Sequence, residues 1–138
     1  MDKQVKAEIK NWLMDMRVPN PYASTINLKT GDRIVARKHL GFFRNRYERG
    51  IGKRNKSYFF IPVLESGPHL HYHLITNRPE EISHTAYLDM FHKALSKTKQ
   101  IHNNYNVVKP VQQLNRWASY MTKFKNEHDD IDWINLKR

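Results

Sequence analysis

The 138 residues suit one domain with a core of ordinary size and are too few for a second catalytic module. With 24 Lys and Arg against 13 Asp and Glu, the formal charge is +11, a field that attracts a polyanion, nucleic acid first among them. The absence of cysteine excludes disulfides, thiolate zinc sites and cysteine nucleophiles. With no apolar leader or membrane-length apolar run, the expectation is a protein of the cytoplasm, or of an infected host cell, without a membrane partner.

Residues 1–20 read as a leading helix: Ile9, Leu13 and Met16 recur at helical spacing before Pro19 and Pro21. Tyr22 to Leu28 alternates as a strand and ends at Thr30-Gly31-Asp32. Arg33 to Lys56 carries nine basic residues; its first part is compatible with a helix, which Gly50 and Gly52 are expected to break. Ser57 to Glu65 and His69 to Thr76 form the clearest hairpin signal, joined through Ser66-Gly67-Pro68. Ser83 caps a helix whose stripe is Tyr87, Met90, Phe91, Ala94 and Leu95. Tyr105 to Val111 reads as a strand, Gln112 to Phe124 as a helix, and 128–138 as a C-terminal extension in which Ile131 and Trp133 alternate. The sum is a single α+β domain over 1–138, an antiparallel sheet with helices on one face and the other face partly open.

The run Glu65-Ser-Gly-Pro-His69-Leu-His71-Tyr-His73 concentrates the chemistry. Strand side chains alternate, so His69, His71 and His73 share one side while Leu70, Tyr72 and Leu74 face the core. A three-residue connection, Ser66 to Pro68, would place Glu65 opposite His69. Three imidazoles and a carboxylate suit a borderline divalent ion such as manganese, with magnesium the alternative, and three protein ligands would leave positions open for a phosphate oxygen. His71 and His73 are the first choice of ligands and Glu65 the next; His69 either replaces Glu65 or supports the others. Exposed histidines with no ion are the plainer reading.

Downstream, Trp117-Ala-Ser-Tyr120-Met-Thr-Lys123-Phe124 sets Tyr120 and Lys123 three residues apart on one helix face. A phenol titrating near ~10 is a poor nucleophile at neutral pH unless a cation favours the phenolate, a role open to Lys123. Taken alone, Tyr-x-x-Lys is a weak signal, more often met by a core-edge tyrosine and a solvated lysine.

In order and spacing, these residues resemble the HUH endonuclease superfamily, specifically the single-tyrosine nuclease domain of rolling-circle replication initiators. His71-Tyr-His73 looks like its metal strand, the segment around Tyr120 like its tyrosine helix, and Ser24 to Leu28 stands where its first motif lies. The extra His69 departs from the pattern, because His69-Leu-His71 satisfies the two-histidine spacing as well. The resemblance implies a ferredoxin-like or RRM-like sheet with a divalent metal at its centre. It also implies nicking and rejoining of single-stranded DNA at a replication origin through a 5′-phosphotyrosine. The implied partners are single-stranded DNA or an origin hairpin, with a host polymerase and helicase, the domain itself being a monomer.

The basic residues Arg33, Arg37, Lys38, Arg44, Arg46, Lys53, Arg54 and Lys56 are candidates for following a phosphate backbone, with Tyr58, Phe59 or Tyr22 available for base stacking. A solvated helix and loop is the plain alternative for that segment. A single-tyrosine transposase or relaxase would share the chemistry. From another class, a non-catalytic RRM-like module would bind single strands without cutting them.

Overall fold

The computed structural model describes Gln4, Ala7, Glu8, Lys10 and Asn11 together with residues 18–52, 58–66, 69–102, 106–111, 130–132 and 135–137. Its elements run β1 (Pro21–Asn27), α1 (Arg33–Ile51), β2 (Phe60–Glu65), β3 (His71–Asn77), α2 (His84–Ser96), β4 (Val107–Pro110) and β5 (Asp130–Ile131). Gln4, Ala7, Glu8, Lys10 and Asn11 are helical, as expected for the leading segment. The expected helix from Gln112 to Phe124 lies outside the described residues.

Both helices begin where a short polar side chain can satisfy free amides. Asp32 accepts from the Ile34 and Val35 amides at 2.8 and 3.2 Å, and Ser83 accepts from the Ala86 amide at 3.2 Å. Gly52 ends α1 at φ 93°, a left-handed conformation that side chains disfavour. The helix runs straight through Gly50, which is not the break that the sequence suggested. A Cβ there would collide with Cγ and Sδ of Met90, so Gly50 serves the close approach of α2 instead.

The sheet order is β4-β1-β3-β2-β5, every neighbour antiparallel. On one face Ile26, Phe60, Leu64, Tyr72 and Leu74 meet Ala36, Leu40, Phe43 and Tyr47 of α1 and Tyr87 and Phe91 of α2 in a single core. Phe43 lies at its centre, with ring centroids 5.2 Å from Phe91 and 6.0 Å from Phe60. Three buried hydroxyls there are paired: Tyr47 donates to the Asn77 carbonyl at 3.2 Å and lies 2.9 Å from Tyr87, whose oxygen is 2.6 Å from Thr76 Oγ1. The chain is thus an α+β fold with its described helices on one face of an antiparallel sheet.

The opposite face is less open than the sequence suggested. Ala23, Ile61, Val63, Ile75 and Ile131 are about as buried as the helix-side core, although they form no part of it. The reason is legible in β2, whose run Phe60 to Leu64 is apolar on both faces and must be covered on both. On this face the end carrying Glu65 and His71 is partly exposed, as is the edge strand β4, where Val107 and Lys109 stand in solvent.

The C-terminal segment is held by a polar clasp as well as a short strand. The Asp132 amide donates to the Pro62 carbonyl at 2.9 Å, and the buried Asp132 carboxylate accepts from Tyr72 Oη and Asn135 Nδ2, both at 2.7 Å. Asn135 Nδ2 also donates to the Arg37 carbonyl at 2.9 Å, and Lys137 exchanges two backbone bonds with Phe60. Burial, then the neighbouring Asp132 charge, push the Tyr72 hydroxyl well above its ordinary range, so it remains a donor. No helix among the described residues is long and apolar enough to cross a membrane.

Candidate metal centre

Three side chains from adjacent strands converge at the polar end of the second face. β2 ends on Glu65, which pairs with His71 of β3, while Val63 pairs with His73. Because β3 begins at His71, the connection runs five residues, 66–70, rather than the three expected, and Glu65 faces His71 instead of His69. His71 and His73 share a face by strand alternation, so both rings reach the same carboxylate. His71 Nε2 lies 2.9 Å and His73 Nε2 3.1 Å from the single oxygen Oε2 of Glu65. One candidate ligand atom from each of the three residues falls within 4.8 Å of the others, close enough for the group to hold a divalent ion.

The remaining ring nitrogens are oriented from behind. His71 Nδ1 donates to the backbone carbonyl of His69 at 2.9 Å, and His73 Nδ1 is 3.3 Å from Thr25 Oγ1 on the neighbouring strand β1. Each contact directs Nε2 towards the carboxylate, as in sites where a carbonyl or hydroxyl fixes the ligating tautomer. With the His69 carbonyl at Nδ1, Nε2 is the His71 nitrogen left to face Glu65 or an ion. The side chain of His73 is 4% exposed against 12% for His71 and 15% for Glu65, so the group is walled on one side and open on the other.

His69, for which the sequence left open a place among the ligands or behind them, lies outside the group of three. It is exposed and precedes β3; its Nε2 lies 3.0 Å from Asn27 Oδ1, and its carbonyl positions His71. Asn27 stands across from His71 in the β1–β3 ladder, and its amide is held by Asn106 Oδ1 at 2.9 Å. Thr25 and Asn27 were not singled out from the sequence, because only the strand pairing brings β1 beside the histidines. Their positions two apart on a strand were the one available signal.

The Glu65 carboxyl is pulled in opposite directions. Burial raises its pKa, but hydrogen bonds from His71 and His73, with their charges, outweigh that and bring it from 4.5 down to about 2. A carboxyl depressed on folding contributes stability fully above its unfolded value, and that contribution is lost as pH falls towards 2. In metal-free buffer, Glu65→Gln is therefore expected to melt below the parent near neutrality and to flatten the parent's loss of Tm between about pH 4.5 and pH 2. Melting curves across that range check this; parallel profiles would mean that the carboxylate is not held by the imidazoles.

The other predicted site residues are dispersed. α1 carries Arg33 next to the centre, its Nη1 donating to Ser66 Oγ at 2.8 Å. Arg37 lies by the Asp132 clasp, Lys38 is exposed with its Nζ 5.9 Å from the Phe42 ring, and Arg44 pairs with Glu48 at 3.2 Å. Arg46 turns towards α2, with Nη1 donating to Thr98 Oγ1 at 3.3 Å. Tyr22 and Tyr58, considered for base stacking, are instead buried in the helix-side core. Tyr120 and Lys123 lie outside the described residues, as do Lys53, Arg54 and Lys56. Set against known family models, curated proteins and solved structures, the chain matches none of them, so this centre is interpreted from its own chemistry.

Proposed function

We propose that the chain is a metal-dependent endonuclease domain that nicks and rejoins single-stranded DNA at a replication origin, with Tyr120 as nucleophile. The observation carrying this is the convergence of His71 and His73 Nε2 on Glu65 Oε2, with both Nδ1 atoms already engaged. Support comes from the net charge of +11 and from the order of motifs, in which the histidine strand precedes a Tyr-x-x-Lys motif, an order similar to that of the HUH superfamily.

A manganese or magnesium ion held by Glu65, His71 and His73 would supply Lewis-acid polarisation of the scissile phosphate. His69 and Thr25 hold the ligand rings, and Arg33, beside Ser66, adds positive charge at the rim where a phosphate would enter. The Tyr120 oxygen attacks phosphorus, the bond to the 3′ oxygen breaks, and that oxygen leaves with a proton as a free hydroxyl. The product is a 5′-phosphotyrosine, and attack by a 3′ hydroxyl reverses the step. Lys123 would favour the phenolate. A host polymerase extending the free 3′ end and a host helicase displacing the strand would complete replication.

Incubation with labelled single-stranded DNA and manganese should give an adduct that survives boiling in detergent and is lost with EDTA. Binding without any adduct, unaffected by EDTA, would instead identify a non-catalytic single-strand-binding module. A transposase or relaxase would form the same adduct, and rejoining into circles on an origin substrate separates replication from excision between paired ends.

A further inference from the structure

α1 and α2 enclose an open cleft of about 540 Å³ on the helix side of the sheet, across it from the Glu65–His71–His73 centre. Four cations line it, Arg46 and Arg49 from α1, Lys93 from α2 and Lys97 at the C-cap of α2, with Asp89 the one acid. The floor is formed by Met90, Ala94 and Gly50, the last bare because Met90 leaves no room for a Cβ. Arg46 is held in place by Thr98 Oγ1, a buried residue that itself donates to the Ala94 carbonyl at 3.0 Å. Among the described residues none of these four cations is engaged in an ion pair, whereas Arg44 on the same helix is neutralised by Glu48. The positive field continues beyond the cleft: after burial, Lys38, Lys99 and Arg46 are what hold the His39 imidazole below its ordinary range.

We infer that this cleft is a second nucleic-acid site, which grips the phosphate backbone of a duplex while the metal centre across the sheet faces the single strand. Lys and Arg drawn from two helices around a shallow apolar floor match a chain of phosphates, whose binding gains from counterion release. No lining residue is aromatic, so the cleft offers no platform for an unpaired base. A duplex, with its bases stacked inward, needs only the backbone contacts that this cleft supplies. The inference goes beyond nicking and holds whether or not Tyr120 reacts.

The test is binding of the whole chain to a blunt DNA duplex with no single-stranded part, by fluorescence anisotropy in EDTA across a salt series. Lys93→Ala with Lys97→Ala is expected to weaken binding on the order of tenfold or more at 0.1 M salt (roughly a factor of eight per lost phosphate contact) and to reduce the salt slope by about 2. Lys109→Ala, which removes one exposed charge from the edge strand β4, should leave the slope unchanged. His71→Ala with His73→Ala should bind the duplex as the parent does. An unchanged slope in the lysine pair, an equal loss per charge in Lys109→Ala, or a loss confined to single-stranded DNA would each overturn the assignment. So would a parent that binds anionic vesicles but not the duplex. Failure of the nicking reaction would leave these results untouched.

Discussion

Replacing Tyr120 with phenylalanine is expected to abolish covalent adduct formation with single-stranded DNA, while non-covalent binding in EDTA changes by no more than about twofold. The asymmetry comes from the single atom that the substitution removes. Phenylalanine keeps the ring, and with it any packing, but lacks the oxygen that would bond to phosphorus, and no other oxygen nucleophile at that position can replace it. Binding depends on charges that the substitution does not alter. Two measurements decide the matter: detergent-resistant adduct on a gel, and anisotropy with the same oligonucleotide. A variant that still forms adduct would relocate the nucleophile, and a variant that loses binding in proportion to adduct would assign Tyr120 to substrate contact.

The second large effect is expected at the ligands. Replacing His71 and His73 together with alanine should eliminate the manganese-dependent rise in Tm and, with it, nicking. Ligand that binds only the folded state at a hundred times its Kd stabilises by about 2.7 kcal/mol, a shift readily measured in the parent. The double variant leaves only Glu65 of the described group, one carboxylate where a site needs about three ligands. Thr25→Ala is the graded counterpart: it removes the oxygen 3.3 Å from His73 Nδ1 and should weaken manganese binding about 10–100-fold without abolishing it. Thermal shift and calorimetric titration with manganese read both. A double variant that is stabilised by manganese as the parent is would remove this cluster from consideration as the metal site.

These two experiments fail independently. Tyr120→Phe should retain the manganese-dependent rise in Tm, because the proposed ligands lie on β2 and β3, and the alanine pair should retain duplex binding in EDTA, because the α1–α2 cleft lies across the sheet. The pattern over both variants separates a wrong nucleophile from a wrong metal site.

What the sequence alone determined were the features set by local rules. Alternation placed Tyr72 and Leu74 in the core and His71 and His73 together on the other face, since a strand has no other way to dispose them. Asp32 and Ser83 marked the helix starts because each is a short acceptor ahead of unpaired amides. The choice of fold class followed from those elements.

Only the tertiary structure decided which carboxylate oxygen meets which imidazole. That depends on where β3 begins: His69 and Leu70 stay in the turn, which shifts Glu65 by two residues to face His71 and leaves His69 to hold the His71 ring through its carbonyl. Strand order likewise brought Thr25 to His73, and helix packing gathered Arg46, Arg49, Lys93 and Lys97, residues up to 51 positions apart, around one cleft. Local propensity specifies a residue's side and its element, but contacts between elements arise from register and packing, which the whole core settles at once.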